Sequence, residues 1–270
     1  MNKKLITIDL DGTTLNNKAE VSSTTKKVLS QATAEGHIVS IVTGRPYRIS
    51  KQIYDSLGLT TPMINFNGAL AHIPHKNWDK SYEYTINRDI VFDILNSRKE
   101  LGINMLAAEG KHMLLADNTS QLVEGFFPQA LKSNQILNQQ NLQHDPTSIT
   151  MFVDQDKKQL ITDRLLKKYG DVIEVNTWGG PKAVLEVVSK GIQKAVGVSY
   201  LADYYGIAQK DIVAFGDESN DKEMLSYAGW GVAMQNGTPE IRGLANDVTT
   251  LNNQENGLAH YLEDYLNLAK

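Results

Sequence analysis

Asp9 and Asp11 stand one residue apart at the end of the apolar run Leu5-Ile6-Thr7-Ile8, and Gly12-Thr13 follow at once. A short run of β-forming residues ending in a glycine turn reads as a buried strand and its exit from a sheet. Side chains two apart on an extended strand share a face, so the two carboxylates are expected to address one small volume. Like charges that close repel unless a cation lies between them or one carries a proton. Mg²⁺ suits such a place, because it takes few carboxylates and keeps sites for water and phosphate oxygens. An isolated Asp-x-Asp is equally well a turn, since Asp bonds its own backbone there. The rest of the chain decides between these readings.

Two further strands end in polar clusters. One runs to Thr43-Gly44-Arg45-Pro46 and the other to Gly216-Asp217-Glu218-Ser219-Asn220-Asp221. Lys194 opens the helix that precedes the latter strand. In a parallel sheet the carboxyl ends of the strands lie along one edge, where α/β proteins bind ligands. Carboxylates, a lysine, a threonine and turn amides gathered there make a set suited to phosphoryl transfer. That reaction asks for positioning and charge neutralisation more than covalent chemistry.

The elements that must position these groups follow from the pattern of the chain. Residues 21–35 read as a helix capped by Ser22 or Ser23 and ended by Gly36. Strand 37–42, a helix over 47–57 with Pro46 in its first turn and strand 63–66 come next, the last ending in Asn67-Gly68-Ala69. Such alternation implies a parallel sheet with right-handed crossovers. From about residue 84 the texture changes. A helix over 87–101, a hairpin around Glu109-Gly110, a Gln/Asn-rich stretch at 133–143, a strand at 149–153, a helix over 157–169 and strands at 172–177 and 183–188 lack the βα alternation. It resumes with a helix over 193–205, strands at 211–215 and 230–234, and helices over 222–228, 239–245 and 255–269. The fold class is therefore α/β: a Rossmann-like parallel-sheet core, residues 1–83 and 189–270, interrupted by an α+β domain over 84–188.

Bulk properties narrow the function classes. The chain has 270 residues, enough for two domains, with 41% hydrophobic and 21% charged residues. A net charge of −4 and a pI near 5.9 give no basic patch for nucleic acid. The absence of cysteine excludes disulfides and thiolate metal sites. No run approaches transmembrane length and no signal-peptide core is visible, so a cytoplasmic protein without a membrane partner is expected. Nothing in the sequence reports the oligomeric state.

Asp9-Leu10-Asp11-Gly12-Thr13, Thr43-Gly44-Arg45, Lys194 and Gly216-Asp217-Glu218-Ser219-Asn220-Asp221 together resemble the four motifs of the haloacid dehalogenase-like hydrolases. An insertion between the second and third motifs, with Asn67-Gly68-Ala69 before it and Gly231-Val232-Ala233-Met234 near the end, is similar to the Cof-type sugar phosphatases (subclass IIB), whose inserted domain is an α/β cap. The resemblance implies a Mg²⁺-dependent phosphatase acting on a small-molecule phosphate ester. Asp9 would be the nucleophile and Asp11 the acid and base. Asp9, the backbone carbonyl of Asp11, and Asp217 would hold Mg²⁺. Thr43 and the amides of Leu10 and Gly44 would cradle phosphate, with Asn220 as a neutral donor and Arg45 beside them. Lys194 would neutralise carboxylate and phosphate, and Asp221 would orient Lys194 or a metal-bound water.

Competing readings remain open at this stage. Lys190, followed by Gly191, rivals Lys194, which is preferred by its spacing to the following strand although Ala195 stands where the family usually has glycine. A phosphomutase would use the same aspartyl-phosphate, and a non-catalytic receiver-like module would use a similar acidic pocket; Asp11 and the large insertion favour the hydrolase. The six histidines show no metal-ligand spacing, and Trp78, Trp178 and Trp230 read as packing residues. Trp178-Gly179-Gly180-Pro181 is an alternative candidate for a cap loop that reaches the substrate.

Overall fold

The structure is a computed structural model that describes residues 2–119, 126–177 and 183–268. Trp178-Gly179-Gly180-Pro181 lies outside the described residues. In chain order the elements are β1 (Leu5–Ile8), α1 (Ser23–Ala34), β2 (Ile38–Ile41), α2 (Tyr47–Ser56), β3 (Met63–Asn65), β4 (Leu70–His72) and β5 (Tyr82–Glu83), then α3 (Arg88–Leu101), β6 (Ile103–Gly110), β7 (Met113–Ala116), β8 (Ser148–Val153), α4 (Lys158–Tyr169), β9 (Ile173–Thr177) and β10 (Val184–Ser189). The chain then forms α5 (Lys194–Tyr205), β11 (Ile212–Gly216), α6 (Lys222–Tyr227), β12 (Trp230–Ala233), α7 (Pro239–Leu244), β13 (Asp247–Val248) and α8 (Gly257–Leu266). Two compact units result: Met1–Arg45 with Ser50–Tyr82 and Gln193–Lys270, and Pro46–Ile49 with Glu83–Ile192.

The first unit is built on a five-stranded sheet in the order β13-β12-β11-β1-β2. Every pairing in it is parallel. Its central strands are buried along their whole length, as expected for a sheet covered on both faces, which therefore reads as continuous apolar runs rather than alternation. Ile8 is in register with both Ile41 and Phe215, so the next residues of three strands emerge along one edge. Ser22 caps α1 by accepting from the Thr25 amide, and Thr238 caps α7 ahead of Pro239.

β3 meets the end of β2 in the expected parallel sense, through the bridge from Val42 to Ile64 and the Thr43 amide donating to the Ile64 carbonyl at 3.0 Å, and it also pairs with β4 in an antiparallel hairpin that the alternation does not announce. The alternating pattern carries no information on which partner a buried apolar strand takes. The turn between these strands supplies the reason: Phe66, Asn67 and Gly68 all have positive φ and reverse the chain at once.

The second unit has its own sheet, in the order β7-β6-β8-β10-β9, antiparallel throughout. Its core joins Ile90, Ile94, Leu106, Ile149, Met151, Ile161 and Leu185. The β6–β7 hairpin turns at Lys111-His112, two residues beyond the expected Glu109-Gly110. Glu109 itself is a buried strand residue bound to Arg48.

Candidate active site

The chain leaves β1 at Asp9, whose amide donates to the Phe215 carbonyl at 3.1 Å, one last parallel-sheet bond. It then folds into a tight turn over Leu10–Thr14. Thr14 Oγ1 donates to the Asp9 carbonyl at 2.5 Å, which fixes the backbone from which the carboxylate projects. Gly12 has φ +71°, and a β-carbon there would lie 2.1 Å from Asp217 Oδ2. Glycine is needed at this point both for its backbone and for the closeness of the second carboxylate.

Lys194 comes from the first turn of α5 and is wholly buried. Its Nζ donates to Asp9 Oδ1 and to Asp221 Oδ1, both at 2.6 Å, across 185 and 27 residues of chain. Burial disfavours the ammonium, yet the two carboxylates outweigh it and raise the lysine above its ordinary pKa. Lys194 is therefore a fixed positive charge. Lys190 goes elsewhere: it is exposed and donates to the Gly170 carbonyl inside the second unit.

Asp221 is fully committed. Its Oδ1 receives Lys194, and its Oδ2 receives the amides of Asp217 and Glu218 at 2.9 and 3.1 Å. Asp217 accepts one bond, from Thr13 Oγ1 to Oδ1 at 2.7 Å. Asp9 accepts one, from Lys194. The second carboxylate oxygen of each has no protein donor among the described residues.

Asp9, Asp217 and Asp221 bring one carboxylate oxygen each within 4.8 Å of the others, and all three are buried. One ammonium does not balance three carboxylates. Burial, then the neighbouring carboxylates against the pull of Lys194, raises Asp9 well above the usual range, and burial with Asp221 beside it pushes Asp217 up to about 7. The protein alone leaves excess negative charge in a dry place, which a hard divalent cation would relieve. The donor set fits Mg²⁺: two half-satisfied carboxylates that offer only oxygen.

Asp11 departs from the sequence expectation. Its carboxylate stays near enough for its charge to act on Asp9, but it is 61% exposed and is held by Arg45 in a fork, at 2.7 Å to Nε and 2.5 Å to Nη2. The reason is local. The extended strand ends at Asp9, so the rule that alternate side chains share a face does not reach Asp11 in the turn. Asp221 joins Asp9 and Asp217 in its place.

Thr43 is buried at the end of β2, and its Oγ1 accepts the Arg45 amide at 3.1 Å. Asn220 is exposed, with Nδ2 donating to Asn67 Oδ1 at 3.0 Å. Sequence reasoning missed three partners of the site. Thr13 and Thr14 lay inside a stretch already singled out, and hydroxyls beside an acidic pair were the signal. Asn67 lay at a third strand end, where an Asn-Gly pair marks a turn.

The haloacid dehalogenase-like hydrolase family matches residues 6–262. The chain belongs to the haloacid dehalogenase-like hydrolases. Among its relatives in this family is a 5-amino-6-(5-phospho-D-ribitylamino)uracil phosphatase of Bacillus subtilis, 35% identical over 98% of both chains. A putative phosphatase of Metamycoplasma hominis is 32% identical over 96% of this chain and 95% of its own. Solved structures with the same fold include a protein of Thermotoga maritima, with TM-score 0.82 at 22% identity and 97% of each chain covered. Another is a subclass IIB sugar phosphatase, with TM-score 0.79 at 22% identity, covering 97% of this chain and 99% of that one. The expected likeness to the Cof-type hydrolases thus extends over nearly the whole chain.

Proposed function

We propose that the protein is a Mg²⁺-dependent phosphatase of small phosphorylated metabolites, with Asp9 as nucleophile, the first unit as catalytic core and the second as its cap. The observation that carries this reading is the buried Lys194 bonded at once to Asp9 and Asp221, with Asp217 beside them. A lysine so placed holds one Asp9 oxygen and leaves the other lone pairs of that carboxylate for phosphorus.

In the first half-reaction an Asp9 oxygen forms a bond to phosphorus as the ester oxygen leaves. Asp11 supplies the proton that the departing alkoxide needs. In the second, Asp11 takes a proton from water, the water oxygen bonds to phosphorus, and the bond to Asp9 breaks. Inorganic phosphate leaves and both aspartates return to their starting states. Acid–base help of this kind is worth roughly 10²–10⁴-fold. The Arg45 fork holds Asp11 as a carboxylate at rest; to act as the acid it takes up a proton and leaves that fork, and its exposure lets it meet a leaving group and then a water. Thr43, the amides of Leu10 and Gly44, and Asn220 would receive the phosphate oxygens, with Lys194 facing them. Asp9, Asp217 and the Asp11 carbonyl would hold Mg²⁺, which when bound screens the nucleophile from the phosphate charge.

The substrate class we favour is a sugar or sugar-alcohol phosphate. The phosphoribityl substrate in the name of the Bacillus subtilis relative supports it. Within the second unit a cavity of about 580 Å³, lined among others by Tyr47, Arg48, His112, Met113 and Phe127, is of a size for a small metabolite. The test is release of inorganic phosphate from a panel of sugar and sugar-alcohol phosphates and p-nitrophenyl phosphate, with EDTA and with Mg²⁺ restored. Activity should vanish on chelation and in Asp9→Asn, which keeps the fold. Unchanged turnover in that variant overturns the assignment.

A further inference from the structure

We propose that Asn67 is a positioning residue for the phosphate site: its carboxamide orients Asn220, and its turn holds the Thr43–Gly44 loop. The inference rests on the phosphatase reading above, which makes both of these groups phosphate donors.

The turn after β3 is unusual. Phe66 and Asn67 take φ of +51° and +53°, and Gly68 takes +109°. Left-handed backbone at non-glycine residues is disfavoured, most of all for a bulky side chain, and persists where the surroundings impose it. Phe66 is completely buried. Behind it Asn65 forms a buried network, donating to Ser50 Oγ at 2.9 Å and to the Arg45 carbonyl at 2.8 Å, with Oδ1 at 3.0 Å from His72 Nε2. The turn is thus braced from the core side.

From this brace the turn reaches three parts of the site. The Asn67 amide donates to the Thr43 carbonyl at 3.1 Å. Its carboxamide lies flat against Gly44, where a β-carbon would stand 3.0 Å from Oδ1 and 3.1 Å from Nδ2. A β-carbon at Gly68 would stand 2.3 Å from the carbonyl of Gln193, the residue before Lys194. The third part is Asn220, whose Nδ2 donates to Asn67 Oδ1 at 3.0 Å.

That bond explains why an exposed asparagine can serve as a donor. A free Asn220 would lose rotamer entropy each time it met an anion. One of its two N–H bonds donates to the buried Asn67, which fixes the plane of the amide and therefore the direction of the other N–H. The side chain of Asn67, rather than its backbone, carries this effect, because glycine adopts the same φ without strain.

The experiment measures KM and kcat for p-nitrophenyl phosphate, and Ki for inorganic phosphate, with the full Mg²⁺-loaded chain. Asn220→Ala should raise Ki about tenfold, as expected for losing a hydrogen bond to a charged group. Asn67→Gly should raise KM and Ki to a similar extent, with kcat changed less and the melting temperature nearly unchanged. In the Asn67→Gly background Asn220→Ala should then add less than twofold. Asn67→Asp keeps the acceptor oxygen and tolerates the left-handed turn, so in that background Asn220→Ala should still raise Ki severalfold. An unaltered Ki in Asn67→Gly, or the full Asn220→Ala effect within it, overturns the proposal. If Asn67→Gly does not fold, the Asp background decides: no effect of Asn220→Ala there overturns it equally. A wild-type chain that releases no phosphate overturns both this proposal and the phosphatase reading, whereas an active wild type with unaltered variants overturns this one alone.

Discussion

Lys194→Met removes a charge and leaves its shape. In the wild type the ammonium is wholly buried between Asp9 and Asp221, bonded to each at 2.6 Å. Without it two carboxylates remain in a place from which water is nearly excluded. Removing one partner of a buried ion pair typically destabilises by roughly 3–5 kcal/mol, because the survivor stays uncompensated. At about 2–4 °C per kcal/mol for a chain of this size, the melting temperature should fall on the order of 6–20 °C. Turnover should fall by at least ~10²–10³-fold, as when a preorganised positive group is taken from a developing charge. The assay is a thermal melt by circular dichroism paired with phosphate release. The cause can be isolated with Asp221→Asn in the same chain: it removes one stranded charge and keeps an oxygen for the amides of Asp217 and Glu218. It should therefore recover a good part of the lost melting temperature and none of the activity. A Lys194→Met protein that melts with the wild type, or a double variant less stable than the single one, would refute the buried-charge argument.

Gly12→Ala should lower kcat/KM by at least ~10²-fold and raise the Mg²⁺ concentration needed for half activity, since its methyl group would occupy the position of Asp217 Oδ2; a magnesium titration of the variant checks both. In the second unit, burial outweighs the Arg48 guanidinium and raises Glu109 to about 7. An acid whose folded pKa lies above its unfolded value stabilises the fold while protonated, and that contribution is lost as pH rises through the folded value. Glu109→Gln should accordingly flatten the decline in thermal stability between about pH 4.5 and 7, and an unchanged slope would remove Glu109 as its source.

The parts of the site that were legible in the sequence are those fixed by strand ends. A strand of β-formers followed by a polar residue puts that residue on the sheet edge whatever the rest of the chain does, and Asp9, Thr43 and Asp217 are of this kind. Lys194 was legible because a residue opening the helix before β11 lies at the same edge. Asp11 was misread in one respect, for its direction depends on a turn set by the dihedrals of Asp11 and Gly12 and by the closeness of the Asp217 side chain to Gly12, which no periodicity describes. The antiparallel pairing of β3 was hidden for a similar cause. Three consecutive left-handed residues decide it, and two of them are not glycine. Asn67 had a composition signal but its partner is Asn220, 153 residues away, and side-chain pairing at that range leaves no trace in one sequence.

The central strand β1 takes its two neighbours from very different distances: β2 follows it closely, while β11 begins at Ile212. On the ribosome, at about 5–20 residues per second, roughly 9–34 seconds separate the emergence of these two neighbours. Throughout that interval the nascent chain presents one edge of an apolar strand with its amides and carbonyls unanswered, the kind of template on which chains pair with one another. The antiparallel unit, whose strands all lie between, can form during the wait. The cluster that joins Asp9 to Lys194 and Asp217 is then a late arrival in the life of the molecule, completed only as its last third is made.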